Sequence, residues 1–146
     1  MAIDKLFELG IELRDKGDLR DSVGVFSKII DDYPNDEKIS GVYLVLGGVY
    51  SDLKEHEKAL VNFRMATDMN PKSELASLGL YITYVKLDRD EEAIRELIRY
   101  LRQFPANLYK DTLEELLEGL DQGYMTDFKV EINKLAKMNG VEPPDM

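Results

Sequence analysis

Three stretches of the chain say nearly the same thing. "DKGDLRDSVGVFSKIIDDYP" (Asp15 to Pro34), "DLKEHEKALVNFRMATDMNP" (Asp52 to Pro71) and "KLDRDEEAIRELIRYLRQFP" (Lys86 to Pro105) each read as a turn, a helix and a proline stop. Repetition constrains a fold more than any single motif, because repeated units must solve the same packing problem. The register is Leu9, Leu46 and Leu80, then a turn near Gly17, Lys54 and Asp88, then a small residue at Ser22, Ala59 and Ala93. Phe26, Phe63 and Leu97 follow, and Pro34, Pro71 and Pro105 close the copies. The first spacing is 37 residues and the second 34, so three extra residues lie between Pro34 and Leu46. They lengthen either the start of the next helix or the loop before it.

Each copy reads as two helices. Ile3, Leu6, Phe7, Gly10 and Leu13 recur at three- and four-residue steps and make one apolar face. Leu19, Val23, Phe26, Ile29 and Ile30 make a second face after the turn. Proline ends the second helix because it lacks an amide hydrogen and disfavours helical geometry in the residue before it. Period-2 alternation is nowhere sustained, so no strands are expected. A hairpin this short cannot bury both faces; stacking the next hairpin covers what the first leaves open. The expectation is one domain over 1–146, with repeats at about 3–36, 40–73 and 74–107. Two further helices, about 108–139, carry Leu113, Leu116, Leu117 and Leu120, then Phe128, Ile132, Leu135 and Met138. They read as a capping unit or a degenerate fourth hairpin turning at Gly123, with Gly140 as a stop. The tail over 140–146 is expected to fray.

The pattern resembles the tetratricopeptide repeat. The residues that carry the likeness are Leu6, Leu9-Gly10, Leu13, Ser22, Phe26 and Pro34 in copy one. In copy two they are Tyr43, Leu46-Gly47, Tyr50, Ala59, Phe63 and Pro71, and in copy three Ser77, Leu80-Tyr81, Tyr84, Ala93, Leu97 and Pro105. Copy three departs from the pattern: Ser77 replaces a bulky residue and Tyr81 a glycine. Ile29 and Tyr100 also stand where a small residue is usual. Irregular packing is expected in copy three. The likeness implies an all-α fold, a right-handed α-α superhelix of antiparallel helix pairs whose first helices line a concave groove. In this register the groove residues are Asp4, Phe7, Ile11 and Arg14, then Gly41, Leu44, Gly48 and Ser51, then Leu75, Leu78, Ile82 and Val85. The binding surface is expected at Phe7, Ile11, Arg14, Leu44, Gly48, Ser51, Leu78, Ile82 and Val85. Members that grip a C-terminal carboxylate use lysine, asparagine and arginine on these helices. Here the aligned positions are Phe7, Ile11, Val45, Leu75 and Gly79, and none donates a side-chain hydrogen bond.

The groove is therefore apolar, and two readings stay open. Either the helix near Leu113–Leu120 folds into it, or a partner segment uses its pockets. Gly47 and Gly48 would let a partner backbone approach closely or simply let helices pack.

Function is bounded mostly by what is missing. The chain has 146 residues, 44% of them hydrophobic, and no apolar run long enough to span a bilayer. "MAIDKLFELGIELRD" lacks the uninterrupted apolar stretch of a secretion signal. With no cysteine, thiolate chemistry is excluded and a reducing cytoplasm fits. Net charge is −10, which opposes nucleic acid and suits a basic partner. The single histidine, His56, reads as an exposed turn residue with no second histidine for a zinc site. "DDYPNDE" and "DRDEE" lack the spacing of a calcium loop. No catalytic constellation or cofactor motif stands out, so no enzyme and no cofactor are expected. The resulting expectation is a non-catalytic module that binds a protein or peptide in an apolar groove. Alternatives are a small acidic chaperone or a neutralising, antitoxin- or immunity-like protein for a basic partner. Another is a self-associating structural module, with Tyr81 and Tyr100 on a homodimer surface.

Overall fold

Three left-handed residues mark the repeat more sharply than any side chain. In the computed structural model, which describes residues 2–143, Gly17, Lys54 and Asp88 all have positive φ, at 85°, 61° and 58°. Each ends the first helix of its hairpin with the same pair of backbone bonds. Gly17 N–H donates to Arg14 O and Asp18 N–H to Leu13 O; Lys54 and Glu55 donate to Ser51 and Tyr50, and Asp88 and Arg89 to Val85 and Tyr84. This is the Schellman closure, in which a left-handed residue lets the chain satisfy the last carbonyls and turn back. Gly123, at φ 89°, repeats it with Leu120 and Gly119.

The helices are α1 (Ile3–Asp15), α2 (Leu19–Asp32), α3 (Ile39–Asp52), α4 (His56–Met69), α5 (Glu74–Lys86), α6 (Asp90–Leu101), α7 (Lys110–Asp121) and α8 (Lys129–Met138). A short 3-10 turn, Thr126–Phe128, precedes α8. Among the described residues there is no strand. The second helices of the copies end alike before their prolines: Tyr33, Asn70 and Phe104 donate their N–H groups to Ile29, Ala66 and Tyr100. Both structural options for the three extra residues are used. Six residues join α2 to α3 but four join α4 to α5, and α3 has 14 residues where α5 has 13.

The chain forms two compact units, Met1–Pro71 and Lys72–Met146. The first holds α1 to α4. Its core gathers Leu6, Phe26, Ile29, Ile39, Val42 and Leu46, and the small residues Ser22 and Ala59 are fully buried. The Ser22 hydroxyl donates to Gly10 O across the hairpin at 2.9 Å. Phe26 lies on Gly10 and Phe63 on Gly47, so closely that a Cβ at either glycine would stand under 3 Å from the ring. His56 is the first residue of α4 and not an exposed turn residue: it is half-buried. Its Nδ1 is buried and makes no hydrogen bond.

The second unit holds α5 to α8 around a core of Ile94, Leu97, Leu113, Leu117, Ile132 and Leu135, with Tyr109 at its centre. Copy three packs differently from the other two, around a residue beyond the repeats. Tyr81 stands where the other copies have Gly10 and Gly47, and the smaller Leu97 where they have Phe26 and Phe63. The space left by Ser77 is taken by Tyr109, a residue beyond the repeats that is wholly buried. Tyr109 stacks edge-on against Tyr81 at 6.0 Å and lies 5.7 Å from Tyr100, and its hydroxyl shares a 2.7 Å bond with Ser77 Oγ. The Glu74 carboxylate fixes Tyr109 by accepting from the backbone N–H groups of Asn107, Leu108 and Tyr109 at 2.7, 2.8 and 3.0 Å. Tyr100 is buried in this core, and Tyr81 is partly buried against it. After Gly140, at φ 68°, Val141 is buried against the same core. Of the tail expected to fray, residues 144–146 lie outside the described residues.

Candidate interaction surface

The first helices carry the candidate positions, and each unit supplies its own. In the first unit Phe7, Ile11 and Arg14 lie one turn apart on α1, and Leu44, Gly48 and Ser51 on α3; all six are half-buried. Phe7 meets Phe26 edge-on at 5.5 Å, and with Ile11 it leans on the core. These two are rim residues: one side is packed and the other open. Arg14 donates through Nη2 to Asp15 at 2.9 Å. The two glycines of α3 separate cleanly: Gly47 is filled by Phe63, whereas a Cβ at Gly48 would meet nothing within 4 Å.

In the second unit Leu75, Leu78, Ile82 and Val85 fall at three- and four-residue steps on α5, which aligns them along one stripe. The stripe divides. Leu78 leans on the core, while Leu75, Ile82 and Val85 are 56%, 45% and 38% exposed. The leucines of α7 do not cover them. Leu113, Leu116, Leu117 and Leu120 are all buried in the core shared with α6 and α8, so α7 uses its whole apolar stripe there. A second exposed apolar row, Val61, Met65 and Met69 on α4, had no part in the sequence expectation; its four-residue spacing is the signal that would have found it.

One buried polar constellation stands behind α5. The Glu96 carboxylate, only 9% exposed, accepts from Ser77 Oγ at 2.6 Å. It also accepts from Arg99 Nε and Nη2 at 2.8 and 2.7 Å. Burial pushes the Tyr109 phenol far above its usual range, partly opposed by the Ser77 hydrogen bond; burial also raises Tyr81. Each member has a partner, so the set holds α5, α6 and the start of α7 in register. It resembles a satisfied buried network more than an acid–base site. Among the described residues no cluster of three metal-ligating side chains forms. No described helix is long and apolar enough to cross a membrane.

Comparison with known proteins agrees with this geometry at the level of fold. A crystal structure of a tetratricopeptide repeat protein from Parabacteroides merdae ATCC 43184 superposes with a TM-score of 0.76 at 17% identity, covering 95% of this chain. The chain spans 54% of that protein, about half its length. At such identity the likeness shows the fold alone, and that fold is the tetratricopeptide-repeat fold. No family model and no curated protein matches the chain.

Proposed function

We propose that the chain is a non-catalytic protein-interaction module that binds an apolar partner segment on the first helix of its second unit, α5. The observation that carries this reading is the exposed apolar stripe of α5, Leu75, Ile82 and Val85. Side chains of this kind on a helix that the rest of its unit leaves uncovered mark a place for another chain. In the first unit the half-buried Phe7, Ile11 and Leu44 and the open backbone at Gly48 offer a separate candidate surface on α1 and α3. Affinity would come from apolar burial, at about 25 cal/mol per Å² removed from water less the cost of ordering the guest. The net charge of −10 supports a partner with basic flanks, through steering more than through binding energy.

The test is site-specific photo-crosslinking in the native host. A benzoylphenylalanine at Ile82 should trap one discrete protein, and one at the exposed Lys110 should not. Adding Val85→Glu should abolish the adduct while far-UV circular dichroism stays unchanged. The same adducts from both positions, or none from Ile82, would overturn the proposal.

A further inference from the structure

Phe7, Ile11, Val45, Leu75 and Gly79 on the first helices offer no side-chain donor for a carboxylate, yet the second helix of copy three presents several. Arg95, Arg99 and Arg102 stand four and three residues apart on α6, and together with Gln103, Ile98 and Phe128 they line a pocket of about 390 Å³. In a chain of net charge −10, three guanidiniums gather on one hollow, each paired with a glutamate. Their carbon and aromatic surroundings are ordered: the Arg95 guanidinium lies 5.4 Å from the centroid of the Phe128 ring. Arg99 is anchored by Glu96, which is buried and stays in place. Arg95 Nη2 donates to the exposed Glu91 at 2.6 Å, and Arg102 Nε to the half-buried Glu131 at 2.9 Å. Arg95 and Arg102 are 64% and 63% exposed, and ion pairs so exposed exchange readily.

We infer that this pocket is a second binding site, one that takes the carboxylate of an acidic peptide segment. Each guanidinium carries five N–H donors in a planar fork that matches a carboxylate in pairs; Arg95 gives one to Glu91 and Arg102 one to Glu131. Glu131 lines the same pocket. Its bond to Arg102, followed by burial acting the other way, holds its carboxyl below the ordinary value. Glu131 thus already occupies one arginine as an internal carboxylate, and the incoming group replaces it. The chain's other acidic groups do not forbid this. At physiological ionic strength charges beyond about 8 Å are largely screened, while the arginines act at contact.

The experiment uses the full chain and a fluorescein-labelled hexaglutamate peptide, read by fluorescence anisotropy at 0.15 M salt, with the hexaglutamine peptide as control. Saturable binding of hexaglutamate alone is expected. Arg95→Gln and Arg102→Gln should each weaken it about tenfold. Glu131→Gln, which removes the internal competitor, should tighten it several-fold, a gain that a merely structural role of these residues does not produce. Equal binding of both peptides, or binding that ignores Arg95→Gln and Arg102→Gln, overturns the inference. So does a Glu131→Gln variant that binds no better than the parent while circular dichroism shows it folded.

Discussion

Two adjacent glycines on α3 should respond to the same substitution with opposite signs. A Cβ at Gly47 would stand 2.7–2.8 Å from three atoms of the Phe63 ring, including its root carbon, Cγ. The ring is itself buried at 7% exposure, so it has nowhere to swing and the two helices must part. Overpacking of this kind costs about 2–3 kcal/mol, while alanine in place of helical glycine returns about 1 kcal/mol. Gly47→Ala should therefore destabilise by about 1–2 kcal/mol. Gly48→Ala meets no atom within 4 Å, so it keeps only the helix gain and should stabilise by about 0.5–1 kcal/mol. The two variants differ by about 2 kcal/mol, which separates their urea midpoints by about 1 M for a slope near 2 kcal/mol/M. Urea titration followed by far-UV circular dichroism reads this directly. Copy three suggests the rescue, since it carries Tyr81 at the glycine position and Leu97 at the phenylalanine position: Phe63→Leu added to Gly47→Ala should recover about 1 kcal/mol relative to the sum of the singles. Midpoint shifts of the same sign for Gly47→Ala and Gly48→Ala would refute the reasoning.

Other expectations follow from the same packing. Lys54 and Asp88 are left-handed without being glycine; Lys54→Gly should raise stability by about 0.5–1 kcal/mol and Asp88→Gly by less, because aspartate tolerates that region better. Thermal unfolding of the two variants measures this. Tyr109→Phe breaks the bond to Ser77 within a buried network and should cost about 1–2 kcal/mol, with Ser77→Ala/Tyr109→Phe less than additive in a double-mutant cycle. Burial, then its hydrogen bond to Asp90, pushes the Tyr124 phenol up to about 12, and burial raises Tyr81 and Tyr109 as well. Above the ordinary value near 10 the unfolded phenols lose their protons while the folded ones keep them. Stability is thus fully present below pH 10 and should fall as pH rises from there toward 12. Absorbance at 295 nm should show these tyrosines ionising together with unfolding; free titration in the folded protein would contradict the assignment.

Much of the fold was legible because local physics repeats. The turn positions Gly17, Lys54 and Asp88 were visible as a register, and each became a left-handed closure. Ser77 and Tyr81 were visible only as departures, because what makes them fit is Tyr109, 32 residues beyond Ser77 and outside every copy. A one-dimensional pattern carries no sign of such a partner. His56 was misread for a related reason: charged neighbours suggested water, but helix α4 begins at that residue and turns its Nδ1 inward. The candidate surface was legible as a stripe on α5 but not as a divided one, since only the core of α6, α7 and α8 draws Leu78 inward. The arginines of α6 were hidden inside a stretch read for its repeat; their spacing of four and three was the available signal.

The chain contains no cysteine, so single cysteines report on the α5 stripe without interference. Thiol–maleimide rates for Ile82→Cys, Val85→Cys, Leu78→Cys and Leu80→Cys, each in an otherwise native chain, test whether that stripe is open. The account predicts fast reaction at 82 and 85, slower reaction at 78 and strong protection at 80, where the leucine is only 4% exposed. Protection at 82 and 85 equal to that at 80 in the isolated protein would mean the stripe is already covered, and would contradict it.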